Sequence, residues 1–87
     1  MNGIITVIGT DQVGIIARVC TFLAERGINI LDISQTIVKG YFNMLMIVDM
    51  TGQSYDEIAG GLDSLGQTIG VNIKLQHEDI FNAMHRV

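Results

Sequence analysis

The chain has 87 residues, with 5 Lys+Arg against 9 Asp+Glu and a formal net charge of −4, which leaves room for one domain and no second. That balance argues against binding a phosphate backbone, which needs a positive surface, and against polybasic attraction to an anionic membrane. At this length a fold buries only about 60–65% of the surface of its unfolded chain, while hydrophobic residues make up 48% of the sequence, so a partner or ligand that adds burial is expected.

Ile4 to Ile8 is short, β-branched and followed by Gly9, the pattern of a buried strand. Thr10 and Asp11 are the candidate N-caps of the helix that follows. In that helix Ile16, Val19, Cys20 and Leu23 recur at the spacing of one face, and Gly27 stands where a left-handed residue stops the helix after Arg26. Ile28 to Val38 reads as extended, with Asp32, Ser34 and Thr36 alternating against Leu31, Ile33 and Ile37. Lys39-Gly40 turns the chain into a further strand, Tyr41 to Met50. Ser54 and Glu57 form a capping box for the second helix, whose buried stripe is Ile58, Leu62, Leu65 and Ile69. Gly60, Gly61 and Gly66 weaken that helix by roughly 1 kcal/mol each relative to Ala, and close packing against the sheet is their expected use. Gly70 ends the helix and Val71 to Gln76 forms the fourth strand. Glu78 and Asp79 then open a short helix with an apolar side of Ile80, Phe81 and Met84, closed by His85 and Arg86 in keeping with the helix dipole. The order is βαββαβ plus a tail helix. This is an α+β, ferredoxin-like arrangement, with a four-stranded antiparallel sheet covered on one face by two helices. Residues 1–76 make up the domain, and 77–87 are its helical extension.

A sheet with helices on one face and water on the other should alternate cleanly. The strand from Tyr41 to Met50 does not. Phe42, Met44, Met46, Val48 and Met50 share one face, but Leu45 and Ile47 occupy the other, relieved only by Asn43 and Asp49. Cover by the tail helix, by another subunit or by both is expected, because exposed apolar patches of a few hundred Å² are unusual on monomers.

Catalytic constellations are missing. His77 and His85 match no standard metal spacing, and Cys20, the single cysteine, lies on an apolar helix face as a small core residue. Gly9 and Gly14 have the spacing of a phosphate loop, but Ile15-Ile16 stand where Lys and Ser/Thr belong. Arg18 and Arg26 read as solvated helix positions, and no basic–aromatic pattern suits nucleic acid. No apolar run approaches the ~20 residues of a membrane span, the first residues lack the features of a signal peptide, and one cysteine forms no internal disulfide. The expectation is therefore a cytoplasmic protein that is not an enzyme and carries no cofactor or metal. One segment stands apart. Thr10-Asp11-Gln12-Val13-Gly14 leads from a buried strand to a helix N-terminus, where free N–H groups and the dipole favour a carboxylate. Gly14 leaves room for a ligand, and the Asn29 amide both donates and accepts. On the residues alone, Asp11 as a cap, Gly14 as a packing site and Asn29 as a turn residue remain the alternative.

The run from Ile4 to Val19 (IITVIGTDQVGIIARV), followed by Leu23 to Ile30 (LAERGINI), resembles the ACT domain, a ferredoxin-like regulatory module that commonly binds amino acids. The family pattern is a strand, Asp-Arg-Pro-Gly-Ile/Val or a close variant, an amphipathic helix and Gly-Ile/Val-Asn-Ile. Here Gln12-Val13 replace the Arg-Pro pair and Gly14 is retained. The segment Leu31 to Thr36 and the tail from Glu78 to Met84 are similar to a small bacterial group of stand-alone ACT proteins, akin to the ACT regions of glycine-cleavage regulators and formyltetrahydrofolate deformylases. The resemblance implies a homodimer with an amino acid held between subunits, acting as a metabolic sensor. Asp11 would meet the ammonium and the N–H groups around Gly14 and Ile15 the carboxylate. Gln12 and Val13 would line the site, and Asn29 and Ile30 of the second strand, from the partner, would complete it. The alternative is a ligand-free interaction module that regulates a partner enzyme or regulator, recruited through its apolar sheet face or an open strand edge.

Overall fold

A computed structural model describes residues 1–10 and 13–80. In chain order the elements are β1 (Asn2–Thr10), α1 (Ile15–Glu25), β2 (Ile30–Val38), β3 (Tyr41–Asp49), α2 (Tyr55–Ile69) and β4 (Val71–His77). The strands form one sheet in the order β2-β3-β1-β4, with every pairing antiparallel. This is the expected ferredoxin-like topology. After β4, Glu78, Asp79 and Ile80 are helical, and the rest of the expected tail helix, with Phe81 and Met84, lies outside the described residues.

Local chemistry sets the ends of the elements. Lys39 and Gly40 both take positive φ, 51° and 80°, the backbone that joins two strands without splaying their right-handed twist. Gly70 caps α2 at φ 77°, its N–H donating to the Gly66 carbonyl. Arg26 closes α1, donating from Nη1 to the Phe22 carbonyl at 2.9 Å, with its guanidinium 3.6 Å above the Phe22 ring. It therefore serves as packing as well as charge. Gly9 does not end β1, which runs on to Thr10. A Cβ at Gly9 would lie 2.7 Å from Val71 Cγ1, so the glycine lets β1 and β4 pack side by side.

Alternation along β3 is as expected. Phe42, Met44, Met46, Val48 and Met50 are all buried with Ile5 and Val7 against α1 and α2, while Leu45 and Ile47 on the opposite face are half-buried. The helix stripes differ by a residue or two from the pattern read in the sequence. α1 buries Ile15, Val19, Phe22 and Leu23, with Ile16 and Cys20 at the margin, and α2 buries Ile58, Leu62 and Gly66, with Leu65 and Ile69 at the margin. The three α2 glycines part company. A Cβ at Gly66 would come within 2.6 Å of the Val71 carbonyl oxygen and one at Gly61 within 2.7 Å of Phe22 Cζ, whereas one at Gly60 would meet nothing within 4 Å. Gly66 thus packs on the sheet, and Gly61 packs on α1.

The helices do not cover the sheet evenly. On β4, Val71, Ile73 and Leu75 are buried beneath α2. On β2, the row on the helix side is Ile30, Ile33, Gln35 and Ile37, level with Val48, Met46, Met44 and Phe42. Ile33 is 43% and Ile37 55% exposed. The register shift between Ile30 and Asp32 leaves Leu31 out of the ladder, and Ile30 takes the place in the helix-side row that the spacing assigns to Leu31. A bulge consumes one residue of the alternation.

Candidate functional site

The residues singled out in the sequence fall at two ends of the sheet. Gly14 is the N-cap of α1, at φ 91° and ψ 2°. Its carbonyl accepts from the Arg18 N–H at 3.0 Å, which opens the helical ladder and leaves the N–H groups of Ile15, Ile16 and Ala17 without helical partners. The cap residue has no side chain, and no acidic residue stands in the first turn. Thr10 and Asp11 are therefore not the N-cap. Thr10 is still strand, paired with Tyr41, and the helix starts too far along the chain for either residue to hold that position. Glycine is required at position 14 by its left-handed backbone, not by crowding, since a Cβ there would meet nothing within 4 Å.

That vacant side opens into two depressions. The larger, a groove of about 470 Å³, is lined by Gly14, Ile15, Ile16 and Ala17 from α1, Gln35 and Ile37 from β2, and Phe42 from β3. On the other side of the same turn, Val13, Gly14, Ile15 and Arg18 face Thr68 and Ile69 across a cleft of about 280 Å³. Val13 and Arg18 are exposed. Asp11 and Gln12 lie outside the described residues.

Asn29 and Ile30 sit elsewhere. Ile30 is level with Val48, which pairs with Gly3, whereas Ile37 is level with Phe42, which pairs with Gly9. From Gly3 to Gly9 is roughly 20 Å of strand at ~3.3 Å per residue. One protomer therefore does not bring Asn29 and Ile30 to the Gly14 turn. The backbone of Asn29 is occupied at its own end, its carbonyl accepting from the Asp49 N–H at 2.9 Å. There Asp49 accepts from Thr51 Oγ1 at 2.6 Å and from the Thr51 N–H at 2.9 Å. These bonds hold its carboxyl below the usual range, the side-chain bond foremost.

Sequence reasoning missed Gln35, Ile37 and Phe42, which share the groove with the helix start. One signal for Gln35 was available, since it breaks an otherwise apolar row of every second residue on β2. Nothing local marks Phe42 as other than core. The remaining polar candidates have simple roles. The His77 ring stacks on Tyr55, with centroids 6.3 Å apart, and the Tyr55 hydroxyl donates to the Leu75 carbonyl at 2.6 Å. Cys20 is half-buried against the core.

A family model for the ACT domain matches residues 3–76. A UPF0237 protein of Bifidobacterium longum is 57% identical over 99% of this chain and 98% of its own. Among solved structures, an ACT domain protein from Streptococcus pneumoniae superposes with a TM-score of 0.84 at 42% identity, covering 98% of each chain. The regulatory subunit of aspartate kinase from Thermus thermophilus superposes with a TM-score of 0.71 at 31% identity, covering 88% of this chain and 51% of that one. With the βαββαβ sheet and a glycine-opened first helix in place, these likenesses assign the chain: it belongs to the ACT domain family.

Proposed function

We propose that the protein is a cytoplasmic, dimeric sensor that binds a free amino acid and regulates metabolism through it. The observation that carries this reading is the first turn of α1, which has a glycine N-cap and no acidic residue and opens on the 470 Å³ groove. Three N–H groups and the positive end of the helix dipole suit a carboxylate, and a groove of this size suits a small metabolite. The ammonium is assigned to Asp11, with Gln12 and Val13 flanking it. The likeness to a kinase regulatory subunit supports a regulatory role.

The dimer supplies the rest of the site. β2 is an edge strand nine residues long, with Leu31, Ile33, Ile37 and Val38 each at least 43% exposed, and such an edge is a template for a second copy. Antiparallel pairing of two β2 strands about a two-fold axis sets the start of one beside the end of the other. The partner's Asn29 and Ile30 then come level with Ile37 and Val38, beside the Gly14 turn. A ligand that bridges the seam favours the dimer by its higher affinity for the assembled state.

A dye-based thermal-shift screen of the free amino acids tests the proposal, since a ligand at 100 times its Kd adds about 2.7 kcal/mol and each kcal/mol moves a small domain by roughly 4–8 °C. A shift that disappears in Asp11→Ala, with the dimer intact by light scattering, is the expected result. A flat screen on a folded dimer defeats it.

The second reading is a module without a small ligand that recruits a partner enzyme. Its support is the sheet face opposite the helices, where Ile8 is 53% and Tyr41 59% exposed beside half-buried Leu45 and Ile47. On that reading Leu45→Asp or Ile47→Asp abolishes regulation, whereas Asp11→Ala does not.

A further inference from the structure

The walls of the groove narrow the ligand further. Resting on the amino-acid reading above, we infer that the ligand carries an uncharged, apolar side chain of three or more carbons, and that Gln35 is a specificity-determining residue. The groove is walled by Ile15, Ile16, Ala17, Ile37 and Phe42, with Gln35 as the one polar side chain among its described lining residues. No Lys, Arg, His, Asp or Glu is among them. Arg18 lines the cleft on the other side of the Gly14 turn.

This distribution matches one kind of amino acid end to end. Its carboxylate meets the positive end of α1, whose first turn holds no acidic residue. Its side chain then lies against described lining residues that carry no charge. A carboxylate or ammonium there would give up water without a counter-charge, which is unfavourable. An apolar side chain covers surface that is otherwise wet, above all Ile37, which is 55% exposed, and half-buried Ile16. Glycine, alanine or serine leaves most of that wall uncovered.

Gln35 marks the limit of the selectivity because it occupies a position in an apolar row, between Ile33 and Ile37 on the helix side of β2. Its amide can donate or accept a hydrogen bond but carries no net charge, so it supplies no counter-charge to a ligand of either sign. A carboxylate of the same shape at this position adds the counter-charge the groove lacks.

Isothermal titration of the dimer with free L-amino acids tests this. Leucine, isoleucine, valine, methionine or phenylalanine should bind at least about tenfold more tightly than serine, aspartate, glutamate, lysine and arginine, a difference of ~1.4 kcal/mol. In Gln35→Glu the apolar series should weaken about tenfold while lysine or arginine gains. Position 35 is exposed and the substitution is isosteric, so circular dichroism should be unchanged, and light scattering establishes that the titrated Gln35→Glu protein is still the dimer. Ile16→Ala should weaken the apolar series without improving any charged ligand. Tightest binding of serine or of a charged amino acid, or a Gln35→Glu protein that binds the apolar series unchanged, overturns the inference and leaves amino-acid sensing standing. Absence of any amino-acid binding by the folded dimer overturns the sensing reading itself, and this inference with it.

Discussion

The two long helices of this protein begin in opposite ways. α2 starts from Ser54, whose Oγ accepts from the Glu57 N–H at 3.4 Å, and Asp56 and Glu57 stand in its first turn. The donor end of that helix has a side-chain acceptor and negative charge beside it. α1 starts from a left-handed glycine, with no acid in its first turn and a groove alongside. The same contrast runs through the sheet. β4, beneath α2, buries Ile73 to 4% exposure, whereas Ile33 of β2 remains 43% exposed. One half of the domain caps its helix and buries its strand within the chain, whereas among the described residues the other leaves the first N–H groups of α1 without helical partners and apolar side chains of β2 exposed.

The largest effect that tests this contrast separates the two edges. Ile73→Ala should cost about 2–5 kcal/mol of folding stability, read by urea denaturation. Ile33→Ala should cost the isolated protomer less than about 1 kcal/mol, because little burial is lost there. Its effect should appear instead as a weaker dimer in concentration-dependent light scattering. Comparable folding costs at the two positions would erase the distinction.

Next in size are the helix starts. Ser54→Ala removes a cap and should cost about 1 kcal/mol. Ala17→Glu places a carboxylate in the bare first turn of α1, at an exposed position, and should add roughly 0.3–1 kcal/mol through the dipole. The same substitution should weaken binding of an amino-acid carboxylate, since both compete for one set of donors. Stabilisation with undiminished ligand binding would place the ligand elsewhere.

The smallest effect concerns Asp49. Its folded-state pKa lies below the unfolded value, so the stability it contributes is fully present above about pH 4, the ordinary carboxylate value, and is lost as pH falls through the folded pKa. Thr51→Ala removes the first cause of that shift. NMR titration should show the Asp49 carboxyl moving up towards the ordinary range, with stability at neutral pH nearly unchanged because the group is exposed.

Much of the architecture was legible before any coordinates. Strand and helix order, the Lys39-Gly40 turn, the Ser54 cap, the stops at Gly27 and Gly70 and the core face from Phe42 to Met50 all depend on a residue and its near neighbours, so a local pattern carries them. The tail beyond Ile80 and the residues Asp11 and Gln12 lie outside what the structure describes. The candidate site was legible only in part, because the motif names one wall of it. Thr10 looked like a cap because Ser, Thr, Asn and Asp before a helix usually are. Instead it completed the ladder with Tyr41, since a paired strand end satisfies more backbone than a cap would.

The sequence by itself determined the elements, their order and the core face of β3, because periodicity and turn chemistry act over a few residues. Tertiary structure decided the rest. It set Asn29 and Ile30 at the far end of the sheet from Gly14, brought Gln35, Ile37 and Phe42 to the start of α1, and left Ile33 and Ile37 of β2 exposed among the described residues. Each of those outcomes follows from the strand order β2-β3-β1-β4 and its registers, which arise from pairings between residues distant in the chain. No local pattern encodes which strands become the edges, and here one of the two, β2, forms a wall of the groove.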